Sequence, residues 1–301
     1  MEQMKVLRVL KRIKNNIIFL CRYDLSNIDD VENDLIYRAI RHTEDLMQTN
    51  MVFKQDDSIN VLSGGESWEK ILASPKSIVR IGDGELTLIA GKPIEFQKYD
   101  KRLAEYLELI LSDDRTDLYV GVEYDYFHGF HDAPEHIRRH NYLWAPEFKR
   151  TLMRHINPER EYITASFNQL YINYQSCDRE KYLNDIRQLF AGRDLAVFAG
   201  AGILDGLTHN VFDLASSCEY VWSLPRNAFD EFDALLEKAR TYPKSKTLCF
   251  ILGPTSKPLV YELSKDGYTA WDMGHLAKDY DHCLRNVSKE KNDIIRFFAP
   301  D

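Results

Sequence analysis

The chain of 301 residues has no run of about 18 apolar residues, so none of it reads as a bilayer-spanning helix. Cysteine is sparse. Cys21, Cys177, Cys218, Cys249 and Cys283 are scattered, odd in number and without a C-x-x-C pair, which excludes a disulfide framework and a zinc knuckle. Cys218 and Cys249 read as small buried hydrophobes, and the whole as a reduced, cytoplasmic protein. Internal repeats and low-complexity linkers are missing too. Positive charge is in deficit: 39 Lys and Arg face 47 Asp and Glu, a net charge of −8. That balance excludes a general nucleic-acid binder, whose affinity comes from Lys and Arg, but it leaves room for a local anion site. What is present is apolar material, 44% of the residues against 29% charged, which suits one large α/β domain or two small ones.

The first 22 residues stand apart. They carry Lys5, Arg8, Lys11, Arg12, Lys14 and Arg22 against Glu2 alone, in an otherwise acidic chain. Val6, Leu10, Ile13, Ile17 and Leu20 recur at helical spacing, so this segment reads as an amphipathic helix. It would rest on an anionic membrane surface at the inner face, or pack on the domain or a second copy in a homo-oligomer. The apolar stretch is too short for a signal peptide.

Beyond residue 60 strand-like runs alternate with helical ones. Strands are expected at 77–82, 117–124, 162–167, 194–200, 220–224, 246–253 and 268–274, the runs at 194, 220 and 246 being buried. Helices are expected between them, including Pro146–Ile156, which follows a loop rich in His and aromatic residues from Tyr126 to Trp144. This alternation predicts an α/β fold with a doubly wound, mostly parallel, Rossmann-like sheet, whose ligands lie at the carboxyl ends of strands.

The informative residues are therefore those just after each strand. The first strand runs from Arg80 into Gly82-Asp83-Gly84-Glu85. Two carboxylates on a glycine turn suit a hard divalent cation held together with a diphosphate, and Arg80 could pair with that phosphate. The competing reading is an ordinary helix start, with Asp83 as cap and Glu85 in the first turn. Gly253-Pro254-Thr255-Ser256-Lys257 opens a helix and offers backbone N–H groups, a hydroxyl and an ammonium to an anion, without Walker spacing. Asp272-Met273-Gly274-His275 places a carboxylate and an imidazole at the last strand end, where they could serve as metal ligand, sugar-hydroxyl partner or general base.

Two other patterns point elsewhere. Gly200-Ala201-Gly202-Ile203-Leu204-Asp205-Gly206 misses the dinucleotide fingerprint, because Asp205 stands where a glycine is required. His128, His131, His136 and His140, with Asp132 and Glu135, could bind zinc and make a metal-dependent hydrolase, although H-E-x-x-H is absent.

Together SIVRIGDGE, IEFQKYD, LPRNAFDEFD and ILGPTSKPLVYELSKDGYTAWDMGH resemble the bacterial glycosyltransferases of the GT-D fold, which act in Gram-positive surface-glycan and adhesin-glycosylation clusters. The resemblance runs from about Ser77 to Tyr280. It implies that Asp83 and Glu85 of the D-x-E motif bind Mn²⁺ or Mg²⁺ and the diphosphate of a UDP-sugar donor. It implies donor-pocket roles for Arg80, Gly82, Asn227, Gly253, Thr255 and Lys257, and makes Asp272 and His275 the candidates for catalysis. The acceptor would be a glycan or glycoprotein. Residues 61–301 would form the transferase domain, and residues 1–60 a helical extension with no counterpart in the family. The Gly200–Gly206 turn lacks the acidic-glycine start associated with that segment. A nucleotide-sugar-binding partner without turnover is the remaining alternative.

Overall fold

The computed structural model describes residues 28–47 and 58–298, and the basic stripe of residues 1–22 lies outside the described residues. The described chain falls into two units. The first contributes a single helix, α1 (Ile28–Met47), in which Arg38 Nε pairs with Asp34 Oδ2 at 2.5 Å.

The second unit is built on eight strands, all parallel: β1 (Asn60–Val61), β2 (Ser77–Arg80), β3 (Leu118–Val122), β4 (Glu161–Thr164), β5 (Asp194–Gly200), β6 (Ser217–Ser223), β7 (Thr247–Ile251) and β8 (Ala270–Asp272). Their spatial order is β1-β4-β3-β2-β8-β7-β5-β6. The helices used below are α2 (Gly64–Ala73), α3 (Asp83–Ile89), α4 (Lys101–Ser112), α5 (Glu135–Leu152), α6 (Arg179–Phe190), α7 (Phe232–Arg240), α8 (Ser256–Lys265), α9 (Leu276–Arg285) and α10 (Lys291–Phe298).

Most strands are apolar on both faces because helices cover both sides of a parallel sheet. Every residue of β2, β3, β7 and β8 is buried. Trp271 of β8 is fully buried, its ring edge-on to Phe190 of α6 at 6.0 Å. Burying a large apolar side chain stabilises by about 1.5–3 kcal/mol, so this continuous core carries the fold. Caps set the helix starts. Asp100 accepts a hydrogen bond from the Leu103 N–H at the head of α4, and Asp178 accepts one from the Lys181 N–H at the head of α6.

Three expectations are corrected. The stretch after Tyr126 is not a loop up to Trp144, because α5 begins at Glu135 and continues through Pro146. Tyr142, Ala145 and Leu152 bury one face of that helix, and this packing outweighs the backbone donor that the proline lacks. The run at 220–224 is not a buried strand. β6 is the sheet edge, paired only with β5, and Trp222 remains 53% exposed. Cys218, on that edge, is accordingly half-buried, whereas Cys249 is fully buried. The two-residue strand β1 and the last two helices have no counterpart in the sequence reading.

Candidate functional site

Three adjacent strands deliver the residues singled out above to one side of the sheet. β2 ends at Arg80 and passes through Gly82 into α3. β8 ends at Asp272, and β7 passes through Gly253 into α8.

Arg80 is buried and fully engaged. Its Nη1 donates to the Ala165 carbonyl at 3.2 Å and to Asn168 Oδ1 at 3.0 Å, while Nη2 lies 3.3 Å from Asp272 Oδ1. Lys257 is also buried; its Nζ lies 3.1 Å from Asp272 Oδ2 and 2.9 Å from Glu85 Oε1, and donates to the Gly253 carbonyl at 3.2 Å. The result is a buried row of alternating charge: Arg80, Asp272, Lys257, Glu85. Ion pairs out of water persist only when such neighbours and hydrogen bonds replace hydration. Gly274 makes room for it. Its φ is +46°, and a Cβ there would stand 1.8 Å from Arg80 Nη2.

The 83–85 turn is divided between the two readings of the sequence. Gly82 is the helix cap, and its N–H donates to Glu85 Oε2 at 2.8 Å. Both Glu85 oxygens are therefore taken, one by an ammonium, so Glu85 does not fit a direct metal ligand. Asp83 is different: its side chain is 64% exposed, with Oδ2 at 4.0 Å from His140 Nε2 and Oδ1 accepting from the Gly84 N–H at 2.8 Å. Among the described residues no group of three or more His, Cys, Asp or Glu is placed to hold a metal ion. One carboxylate, completed by substrate phosphates, is still a donor set that Mg²⁺ uses, and Asp83 fits it.

Beside the row lies an apolar cavity bounded by Phe96, Gly200, Leu224, Asn227, Gly253 and His275. The glycine turn after β5 is thus a wall of this cavity; a Cβ on Gly200 would approach Pro225 Cα to 2.9 Å. Asn227 holds the opposite wall. With φ of 55° it accepts from the Lys98 N–H at Oδ1 (2.7 Å) and donates its own N–H to the Phe96 carbonyl (2.8 Å). His275 is kept neutral: burial pushes it down to about 3, with Arg80, Lys278 and Lys257 adding to this and Asp272 opposing.

The structure thus brings Arg80, Glu85, Lys257 and Asp272 together and puts Asn227, Gly253 and His275 on one cavity. It leaves Asp83 at the rim. Thr255 is fully buried, with no hydrogen-bond partner for its hydroxyl, so it has no open surface through which to meet a donor. Asp272, a candidate base, is wholly buried between two cations and has no route to an acceptor hydroxyl.

One residue was missed. Glu123 follows β3, next to the end of β2, and its Oε2 accepts from the Ser166 hydroxyl at 2.6 Å. Ser166 in turn accepts from Asn173 Nδ2 at 3.0 Å, which fixes the hydroxyl for this task. Burial raises the Glu123 carboxyl, against the Ser166 hydroxyl and the Asp125 N–H; the charge of Asp83 raises it further and Arg80 opposes. A single glutamate after a strand carries no motif, so only the three-dimensional neighbourhood identifies it.

The histidine-rich segment assembles no metal centre. His128 stacks on Tyr124 at 3.9 Å and its Nδ1 lies 3.1 Å from the Tyr124 carbonyl, an arrangement that carries no hydrolase reading.

Comparison with known proteins is consistent with this geometry. The sequence profile of the glycosyltransferase GT-D fold matches residues 78–296. The chain is 29% identical over 234 residues to a probable glycosyl transferase Gly of Streptococcus gordonii, covering 75% of this chain and 33% of that protein. It is 27% identical over 253 residues to glycosyltransferase GlyD of Streptococcus pneumoniae serotype 4, covering 81% and 30%. The chain therefore spans about a third of the length of these relatives. Among solved structures it is similar to a domain of unknown function 1792 described as having a distinct glycosyltransferase fold, with TM-score 0.72, 28% identity, and coverage of 78% of this chain and 84% of that one. A second, described as a new glycosyltransferase (DUF1792) from Streptococcus sanguinis, gives TM-score 0.72 and 29% identity, covering 77% and 87%.

Proposed function

The chain belongs to the GT-D-fold glycosyltransferase family, and from that premise we propose that it moves a sugar from a UDP-sugar to a glycan or glycoprotein acceptor, with a divalent cation. The observation that carries this reading is the pairing of the apolar cavity with the buried charge row at the ends of β2, β8 and β7. A flat, weakly polar base and ribose suit a cavity walled by Phe96, Leu224 and Gly200, and the diphosphate would then lie toward Gly253 and His275.

In this reading Asp83 would hold Mn²⁺ or Mg²⁺ against the diphosphate, where a cation offsets the charge that develops on the leaving group. Glu85 acts one step behind it, fixing the Gly82 turn and the Lys257 ammonium. Arg80 and Lys257 are positioning residues: they set the potential at the strand ends and lock β2, β8 and β7 in register. Neutral His275 donates or accepts one hydrogen bond at the cavity wall. We assign the acceptor proton to Glu123 rather than Asp272, because its raised carboxyl, held by Ser166, lies in the neighbourhood of Asp83. Residues 61–301 would carry this chemistry, with residues 1–60 as an appendage for membrane contact or self-association in the cytoplasm.

The test is UDP release from UDP-sugars in the presence of candidate acceptors, with and without chelator, alongside thermal shifts with UDP and GDP. A donor-binding enzyme is stabilised by UDP through mass action, more strongly with Mn²⁺. Absence of any UDP-dependent stabilisation in the folded protein would overturn the donor assignment. Stabilisation without release would leave a binding partner in place of an enzyme.

A further inference from the structure

A second and roomier cavity, of about 430 Å³, lies on the other half of the sheet. Its walls come from the segments that follow β1, β3 and β4, and from the start of α6. The apolar cavity described above is bounded by segments after β5, β6, β7 and β8, together with Phe96 and Gln97 of the loop between α3 and α4. In the sheet, β2, which leads to Asp83, stands between the strands that precede the two sets of segments. Resting on the glycosyltransferase reading above, we propose that this second cavity is the acceptor-sugar subsite and takes a neutral pyranoside.

Its chemistry favours such a ligand over a second nucleotide. Trp68, Tyr124, Tyr174 and Tyr182 line it. The polar ends of two of these are used by the protein: Trp68 Nε1 donates to the Phe167 carbonyl at 2.8 Å, and Tyr182 Oη donates to Asp279 Oδ2 at 2.8 Å. Both are buried and form the floor, while the half-buried Tyr124 and Tyr174 offer ring surface that suits the C–H face of a sugar. The carboxylates on the wall exclude a phosphate. Three of them are engaged: Asp132 by Ser176, Asp178 by the Lys181 N–H, and Asp185 by Lys181 Nζ at 3.0 Å. Asp125, only 6% exposed, has the Tyr174 hydroxyl beside it and is the carboxyl left for a ligand hydroxyl. A few fixed polar groups among aromatic walls is the usual make-up of a small-molecule site. The chain itself links the two sites: Glu123, which feels the charge of Asp83, is followed directly in sequence by Tyr124 and Asp125 of the cavity wall.

Gly65 gives a clean way to close the cavity. It lies on the wall in α2, and a Cβ built on it meets nothing within 4 Å. The experiment is saturation-transfer NMR on the full chain with methyl β-D-glucopyranoside and methyl N-acetyl-β-D-glucosaminide, each with and without saturating UDP. UDP affinity is measured separately by calorimetry. The wild-type protein is expected to bind at least one glycoside, with UDP present or absent. Gly65→Trp and the conservative Asp125→Asn should each weaken that binding at least tenfold and leave UDP affinity within twofold. The proposal is overturned if neither glycoside binds the wild type, if UDP displaces the glycoside, or if Gly65→Trp and Asp125→Asn both bind it as before. Should UDP fail to bind while the glycosides do, the donor reading falls and the cavity stands as a sugar site.

Discussion

At the scale of single residues, Asp83 and Glu85 have the same chemistry and opposite situations, and that separates their mutants. Asp83 is exposed and bonds only locally, so Asp83→Asn should leave the unfolding free energy within about 0.5 kcal/mol of wild type, as for an ordinary surface change. In the proposed role it nevertheless abolishes chelator-sensitive transfer; a UDP-release assay with full activity would remove the metal from Asp83. Lys257 sits between two buried carboxylates. Lys257→Met should cost about 3–5 kcal/mol in urea unfolding, because it leaves buried charge uncompensated. A loss below about 1 kcal/mol would show the row to be hydrated. Gly274→Ala meets Arg80 in a backbone region that alanine avoids, and should cost at least about 2 kcal/mol. His275 gives a pH signature. Its folded value, about 3, lies below the ordinary 6.5, so below pH 6.5 the unfolded chain binds the extra proton. Stability should fall as pH drops from 6.5 toward 3, by up to about 1.4 kcal/mol per unit from this group. His275→Gln should flatten that limb in denaturation measured across the range.

At the scale of elements, the loop between α3 and α4 is tied to the segment after β6 by Asn227, whose side chain accepts from the Lys98 N–H and whose backbone N–H donates to the Phe96 carbonyl, and by the Lys98 ammonium on Asp230 at 2.7 Å. Asn227→Gly keeps the left-handed backbone and loses the side-chain bond, whereas Asn227→Ala loses both. The alanine variant should be less stable by about 1–2 kcal/mol and the glycine variant by about 1 kcal/mol. Both should weaken UDP binding through a loosened Phe96 wall, which calorimetry reads directly. Element by element, the sequence was most legible where apolar runs form buried strands, as at β2, β5 and β7, because a strand buried on both faces needs nothing else. It misled at α5, where His136 and His140 belong to a stretch that resembles a loop and Pro146 resembles a helix start, but Tyr142 and Ala145 supply a core-facing stripe. The glycine turn after β5 was read as a failed cofactor fingerprint. In the structure Gly200 of that turn serves the close approach of another backbone, that of Pro225, which the sequence reading did not foresee.

At the scale of the whole molecule, the doubly wound sheet followed from the alternation of elements, and the clustering of strand-end residues followed from the sheet. Which of them face one another did not, because the pairing of Arg80 with Asp272 or of Lys257 with Glu85 depends on strand order, and no local pattern encodes it. The basic stripe of residues 1–22 belongs to this scale too. Its removal should leave UDP affinity unchanged and reduce sedimentation with anionic vesicles or with a second copy; a folded truncation that fails to bind UDP would contradict this. The sheet order also bears on assembly. β8 has three residues and comes last of the eight strands in chain order, yet it alone joins β1-β4-β3-β2 to β7-β5-β6, meeting β2 through Ile78 and Trp271. Contacts between residues so distant in sequence form late, since the loop entropy must be lost before the pairing rewards it. The two halves of the sheet can therefore gather first as separate bodies, with the central seam closing at the end. Arg80 and Asp272 lie on the two sides of that seam, so a chain in which β8 has not yet joined the sheet has neither the charge row nor the pocket beside it.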